Sequence, residues 1–150
     1  MSRKTIILLF ILFILPLVIY FLWPSDEARI KKLFREGSRA IEKKDLDAVM
    51  SKVSFNYTDE YGFNYLYIKE SLKRVFQQTG DIDIEYENLT ITITDKAAKA
   101  EVDVRAVATI GSERGYILGD QPHPVHLTFS LEKQRTKWMV LKTEGMPFKW

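Results

Sequence analysis

The 150 residues carry 22 Lys and Arg against 20 Asp and Glu. Two of those basic residues, Arg3 and Lys4, precede an uncharged N-terminal stretch, so the chain beyond it is formally neutral and lacks the basic excess that drives nucleic-acid binding. There is no Cys, which excludes disulfides, thiol catalysis and lipid attachment through a cysteine.

Residues 5–23 contain no Asp, Glu, Lys, Arg, Asn or Gln and are mostly Ile, Leu and Phe. As a helix rising about 1.5 Å per residue they span roughly 28 Å, close to the ~30 Å hydrocarbon thickness of a bilayer. Arg3 and Lys4 also suit the start of a signal peptide. The apolar run is longer than such a signal needs, however, and Leu22-Trp23-Pro24-Ser25 offers no small-x-small cleavage site. Residues 1–24 are therefore expected to be a retained anchor contacting the lipid bilayer through residues 5–23, with 25–150 as one domain. Cleavage and release of a free secreted domain is the alternative. Pro16 is tolerated as a kink within a span, and Tyr20 and Trp23 suit the distal interface. The flanks place the N-terminus in the cytoplasm, since Pro24, Ser25, Asp26 and Glu27 come before Arg29, Lys31 and Lys32 on the far side. The expected address is the cytoplasmic (inner) membrane, crossed once, with the domain on its periplasmic or extracellular side.

After the anchor the first half reads as helix. Ile30, Leu33, Phe34, Gly37, Ala40 and Ile41 recur at intervals of three and four, and Ser25 or Asp26 caps the start. A shorter helix begins at Asp45 as N-cap and buries Leu46, Val49, Met50 and Val53. Residues 55–61 break the pattern with turn formers and dense aromatics. A third helix runs from about residue 66 to 78 with Gly80 as its C-cap.

The second half reads as strand. Ala98, Ala100, Val102, Val104, Ala106, Ala108 and Ile110 alternate along one face of a long strand. In the strand before it, Ile82, Ile84 and Tyr86 give way to Leu89, Ile91 and Ile93, so the apolar parity flips. One extra residue near Glu87-Asn88 restores a single face, which predicts a β-bulge. Asp95-Lys96 turns into the next strand, and residues 125–131 and 137–141 form a final hairpin. The expected class is α+β, with helices packed on one face of an antiparallel sheet.

This element order, with the helix opening Lys44-Asp45-Leu46-Asp47, the stretch Phe55-Asn56-Tyr57-Thr58-Asp59 and the closing Lys137-Trp138-Met139-Val140-Leu141, resembles the NTF2-like superfamily over roughly residues 26–145. The resemblance implies a cone of three helices on a curved sheet of about four long strands, a pocket at its wide end, and homodimers or protein partners through the sheet. Its isomerases and dehydratases use an acid and proton donors in an apolar pocket. Asp59 with Tyr57 or Tyr61 is the nearest set here, against the plainer reading of a turn aspartate beside core aromatics.

Tyr65, Tyr86 and Tyr116 are the candidate ligand-binding residues. The five aromatics Tyr57, Tyr61, Phe63, Tyr65 and Tyr67 are expected to be mostly buried, because large apolar patches are uncommon on monomers. Residues 111–119 carry the apolar tip Tyr116-Ile117-Leu118, a lid or contact, or else an extension of the preceding strand. His123 and His126 lie in a proline-rich loop without enough neighbouring ligands for a metal, and no cofactor motif is present. The expected function is a binding or assembly module without catalysis; the alternative is a small-molecule isomerase or dehydratase using an acid in the cone.

Overall fold

The computed structural model describes residues 3–147. Its first element, α1 (Arg3–Leu22), is apolar all round beyond Arg3, Lys4 and Thr5 and is long and apolar enough to cross a membrane. After Trp23, Pro24 and Ser25 the pattern turns amphipathic. In α2 (Asp26–Glu42) the Ser25 hydroxyl accepts from the Ala28 N–H at 3.2 Å, and Asp26 and Glu27 suit the positive end of the helix dipole. Ile30, Leu33 and Ala40 form its buried face.

α2 ends by a Schellman closure, the Asp45 N–H bonding the Ala40 carbonyl and the Lys44 N–H that of Ile41. Lys44 occupies the left-handed position at φ 55°. Its ammonium is used elsewhere, on the Thr79 carbonyl at 2.6 Å. Asp45 then caps α3 (Leu46–Met50) through the Ala48 N–H. The third amphipathic helix, α4 (Tyr65–Gln78), starts one residue earlier than its apolar periodicity suggests, because Asn64 caps it by accepting from the Tyr67 N–H.

Gly80 is not the left-handed cap expected of it. Thr79 leaves α4 in an extended conformation and Gly80 donates to the Thr109 carbonyl at 2.6 Å. A glycine suits this close approach: a Cβ would lie 3.1 Å from that of Thr109, tighter than ordinary packing.

The sheet contains β1 (Ile82–Thr94), β2 (Ala97–Ile110), β3 (Glu113–Leu118), β4 (Val125–Gln134) and β5 (Lys137–Glu144), in order β1-β2-β4-β5 and antiparallel throughout. Residues 116–118 do not extend β2. They belong to β3, which folds back along the end of β2, while β4 takes the same edge from Ala97 to Val104. The alternation in β2 holds from Ala98 to Ala108, all even positions buried. Ile110 breaks it, being 57% exposed at the strand's end.

Three bulges bend the sheet. The first lies between Glu87 and Thr90, with Asn88 at φ 56°, where the parity flip predicts it. The second places Ile117 as an extra residue opposite Ala106 and Val107, and the third does the same for Leu141 opposite Ser130 and Leu131. The tight turns at Asp95 (φ 55°) and Arg135 (φ 58°) lie side by side, joined by a Lys133 N–H to Lys96 carbonyl bond.

The start of α2 is clasped to this end of the sheet. Asp26 accepts from Lys133 Nζ at 2.9 Å and Trp138 Nε1 at 3.1 Å, and Arg29 donates to the Thr136 carbonyl at 2.9 Å. Beneath the clasp Ile30, Ala98, Ala100, Leu131 and Trp138 pack without exposed surface of consequence.

Candidate functional site

At the opposite end the helices and sheet diverge and leave a cavity of about 530 Å³. Ile68 and Phe76 on α4, Ile84 on β1, Val104 on β2, Leu118 on β3 and Leu127 on β4 form much of its wall. The wall is overwhelmingly apolar, and the volume falls in the range of small-molecule sites. The bulges at Ile117 and Leu141 help to shape it. The first lets both Ile117 and Leu118 reach the lining, and the second turns Thr143 inward where unbroken alternation from Val140 would turn it out.

The loop between α3 and α4 brings five polar side chains to the lining, Lys52, Tyr57, Asp59, Glu60 and Tyr61. This segment is held to β5 by Ser54 N–H to Val140 and Thr58 N–H to Leu141 bonds, so Tyr57 is delivered inward and is only 5% exposed. Burial pushes its phenol pKa above the ordinary value. The Thr143 hydroxyl within bonding reach opposes that shift, and the nearby Asp59 and Glu60 carboxylates add to it. Tyr57 therefore keeps its proton at neutral pH and acts as a hydrogen-bonding group, not a base.

Asp59 lines the same cavity and is buried, 6% exposed. Its Oδ1 accepts two backbone bonds, from Tyr61 N–H at 2.9 Å and Phe63 N–H at 2.8 Å. The Asp59 N–H bonds the Phe63 carbonyl, and Gly62 at φ 83° donates back to the Asp59 carbonyl. That is the work of an aspartate that shapes a turn. The turn is pinned to the end of β5, with Glu60 accepting from the Gly145 N–H and the Tyr61 hydroxyl donating to the Met146 carbonyl. Gly145, at φ 92°, lies so close to the His126 carbonyl that a Cβ has no room.

The structure thus brings Tyr57, Asp59, Tyr61 and Tyr86 together around one cavity. Tyr65 and Tyr116 stand elsewhere. Tyr65 packs on Phe55 with ring centroids 4.8 Å apart, and the Tyr116 hydroxyl bonds Gln121 on an exposed hairpin. The aromatic run divides as well: Tyr57 is buried, Phe63, Tyr65 and Tyr67 are half-buried, and Tyr61 is 38% exposed. The two histidines have separate partners, His123 with Asp120 and His126 with Asp103. Among the cavity's polar residues, Ser71 and Thr143 carry no motif. Thr143 is hidden by its bulge, and Ser71 lies on the buried side of α4 beside Ile68, where its helical spacing was the available signal.

No protein-family model matches the chain, and neither does any curated protein. Solved structures do. A candidate scytalone dehydratase from Novosphingobium aromaticivorans aligns with TM-score 0.69 at 13% identity, over 79% of this chain and 81% of that one. A candidate aromatic ring hydroxylase from the same organism gives TM-score 0.69 at 14% identity, over 83% and 90%. A candidate dehydratase of the NTF2-like family from Streptomyces avermitilis gives 0.65 at 11%, over 77% and 90%. At these identities the likeness is one of fold, and the fold is the NTF2-like cone.

Proposed function

We propose that this chain is a single-pass, membrane-anchored NTF2-like binding module, held outside the cytoplasm, whose cone takes up a small, largely apolar molecule without transforming it. The cavity carries the reading: about 530 Å³ of apolar-walled space in which the one buried acid is engaged by backbone donors. The anchor rests on α1, and the sidedness on Arg3 and Lys4 at its start.

The test uses the full chain in lipid nanodiscs with the apolar dye Nile red. Ala106 lines the cavity and is 3% exposed, so Ala106→Phe fills space that a ligand needs. Subtracting the variant's signal from that of the unaltered chain cancels dye dissolved in lipid. A saturable difference is expected, reporting binding at least tenfold tighter to the unaltered chain than to the variant. Equal binding by two equally folded proteins, matched by circular dichroism, refutes the reading.

A dehydratase-type enzyme is the second reading, favoured by Asp59 and Tyr57 sharing one cavity and by dehydratase candidates sharing the fold. There Asp59→Asn would abolish turnover while leaving dye binding within about twofold. A binding module shows no turnover to lose.

A further inference from the structure

The geometry points to a second membrane contact: the closed end of the domain, at the paired turns 94–97 and 134–137, docks on anionic lipid headgroups. This rests on the anchor reading of α1 and is independent of what the cavity holds. Only Trp23, Pro24 and Ser25 separate α1 from α2, a reach of about 10 Å at most in extended chain. Trp favours the headgroup level of a bilayer, and the Arg29 guanidinium lies over the Trp23 ring, 5.6 Å from its centroid. The same guanidinium bonds the Thr136 carbonyl in the β4–β5 turn, and the Lys133 to Lys96 bond brings the β1–β2 turn alongside. Both turns are thereby held at the depth of the headgroups.

Their charge suits that position. Lys96, Arg135 and Lys137 are exposed, and none forms an ion pair among the described residues. The other charges nearby cancel: Asp26 pairs with Lys133, Glu27 with Lys31, and the Glu132 carboxylate, held by Ser54 and Gln134, offsets the Arg29 guanidinium. Asp95 is the one exposed acid on the turns. Each net positive charge near an anionic surface favours contact roughly fivefold, so the two in excess favour docking about twenty-five-fold. The domain as a whole is neutral, so this is a local asymmetry and not a general basicity. Docking this way turns the strand ends that line the cavity (Ile82, Ile110, Thr143) away from the bilayer, and a ligand then enters from the aqueous side.

The absence of Cys makes the test clean. A bimane fluorophore is placed on full-length Thr94→Cys at the closed end, and on Ser112→Cys at the β2–β3 turn as control. Each is read in nanodiscs containing a headgroup-nitroxide lipid as quencher. Replacing about 30 mol% of the phosphatidylcholine by phosphatidylglycerol is expected to raise quenching at position 94 at least twofold and to leave position 112 unchanged. Combining Lys96→Glu, Arg135→Glu and Lys137→Glu, or adding about 0.5 M salt, removes the rise. Quenching at 94 that ignores lipid charge, or a rise that survives the triple variant, overturns the proposal. A chain that fails to co-elute with the discs overturns the anchor reading and this proposal with it, while the Nile red result stands apart.

Discussion

The two ends of the cone are built from the same strands and differ in what those strands meet. At the closed end Ala98 and Ala100 on β2 and Leu131 on β4 pack directly on Ile30 of α2, and Trp138 seals the edge. At the open end Val104 and Ala106 on β2 and Leu127 on β4 continue the same inward faces but look onto the cavity. The chemistry of the two faces hardly changes; the backbone does. The bulges at Asn88, Ile117 and Leu141 lie between the closed-end core and the far strand ends, and a bulge bends the strand that carries it. A cavity of this kind comes from placing small irregularities beyond a well-packed base, with no need for polar residues to hold it open.

That contrast means that equivalent truncations should not cost the same. Leu131 is 1% exposed with neighbours on every side, so Leu131→Ala is expected to cost about 4 kcal/mol. Leu127 is nearly as buried, at 4%, but one side of it faces empty space. It has fewer contacts to lose, and Leu127→Ala should cost about 2 kcal/mol. Denaturant titration of the full chain in nanodiscs measures both. Equal losses would mean that the cavity wall is as tightly packed as the base.

Enlargement tests the same contrast from the other direction. Ala100→Leu forces a larger side chain into the filled base and is expected to cost about 3 kcal/mol, whereas Ala106→Leu enters the cavity and should cost less than about 1 kcal/mol. The second substitution should also weaken Nile red binding, and the first should leave it in place wherever the protein folds.

Much of this contrast lay within reach of the sequence, and the reason is length. Thirteen residues of β1 give enough alternation for its parity flip to show, so the bulge at Asn88 can be read directly. β3 has six residues and β5 opens on the unbroken apolar run 138–141, so neither offers a pattern long enough to reveal a slip. Thr143, Ile117 and Leu118 escaped notice as lining residues for that reason. Gly80 was misleading because a glycine after a helix signals a left-handed cap, while the bond that governs it comes from Thr109, on a distant strand. Tyr57 and Asp59 share the cavity because residues 53–58 run beside β5, a pairing that no local periodicity encodes.

The smallest effect concerns the clasp that separates the closed end from the open one. Hydrogen bonds from Lys133 and then from the Trp138 indole hold the Asp26 carboxyl below its usual pKa, with the charges of Lys133 and Arg29 acting the same way. On unfolding Asp26 returns to the ordinary aspartate range, near 3.9. As pH falls the unfolded chain therefore binds this proton first, and stability declines with it. The clasp contributes fully above the ordinary range and is lost as pH drops through the lowered folded value. Because the pair is part-exposed, that contribution is about 0.5–1 kcal/mol. Asp26→Asn should lower stability by this amount at pH 7 and flatten the decline that begins as pH falls through the ordinary aspartate range. A variant whose stability falls with acid as steeply as the parent would assign the acid sensitivity to other carboxylates. The clasp would then be a positional feature of α2 with no energetic weight of its own, and the closed end would owe its rigidity to Ile30, Leu131 and Trp138 alone.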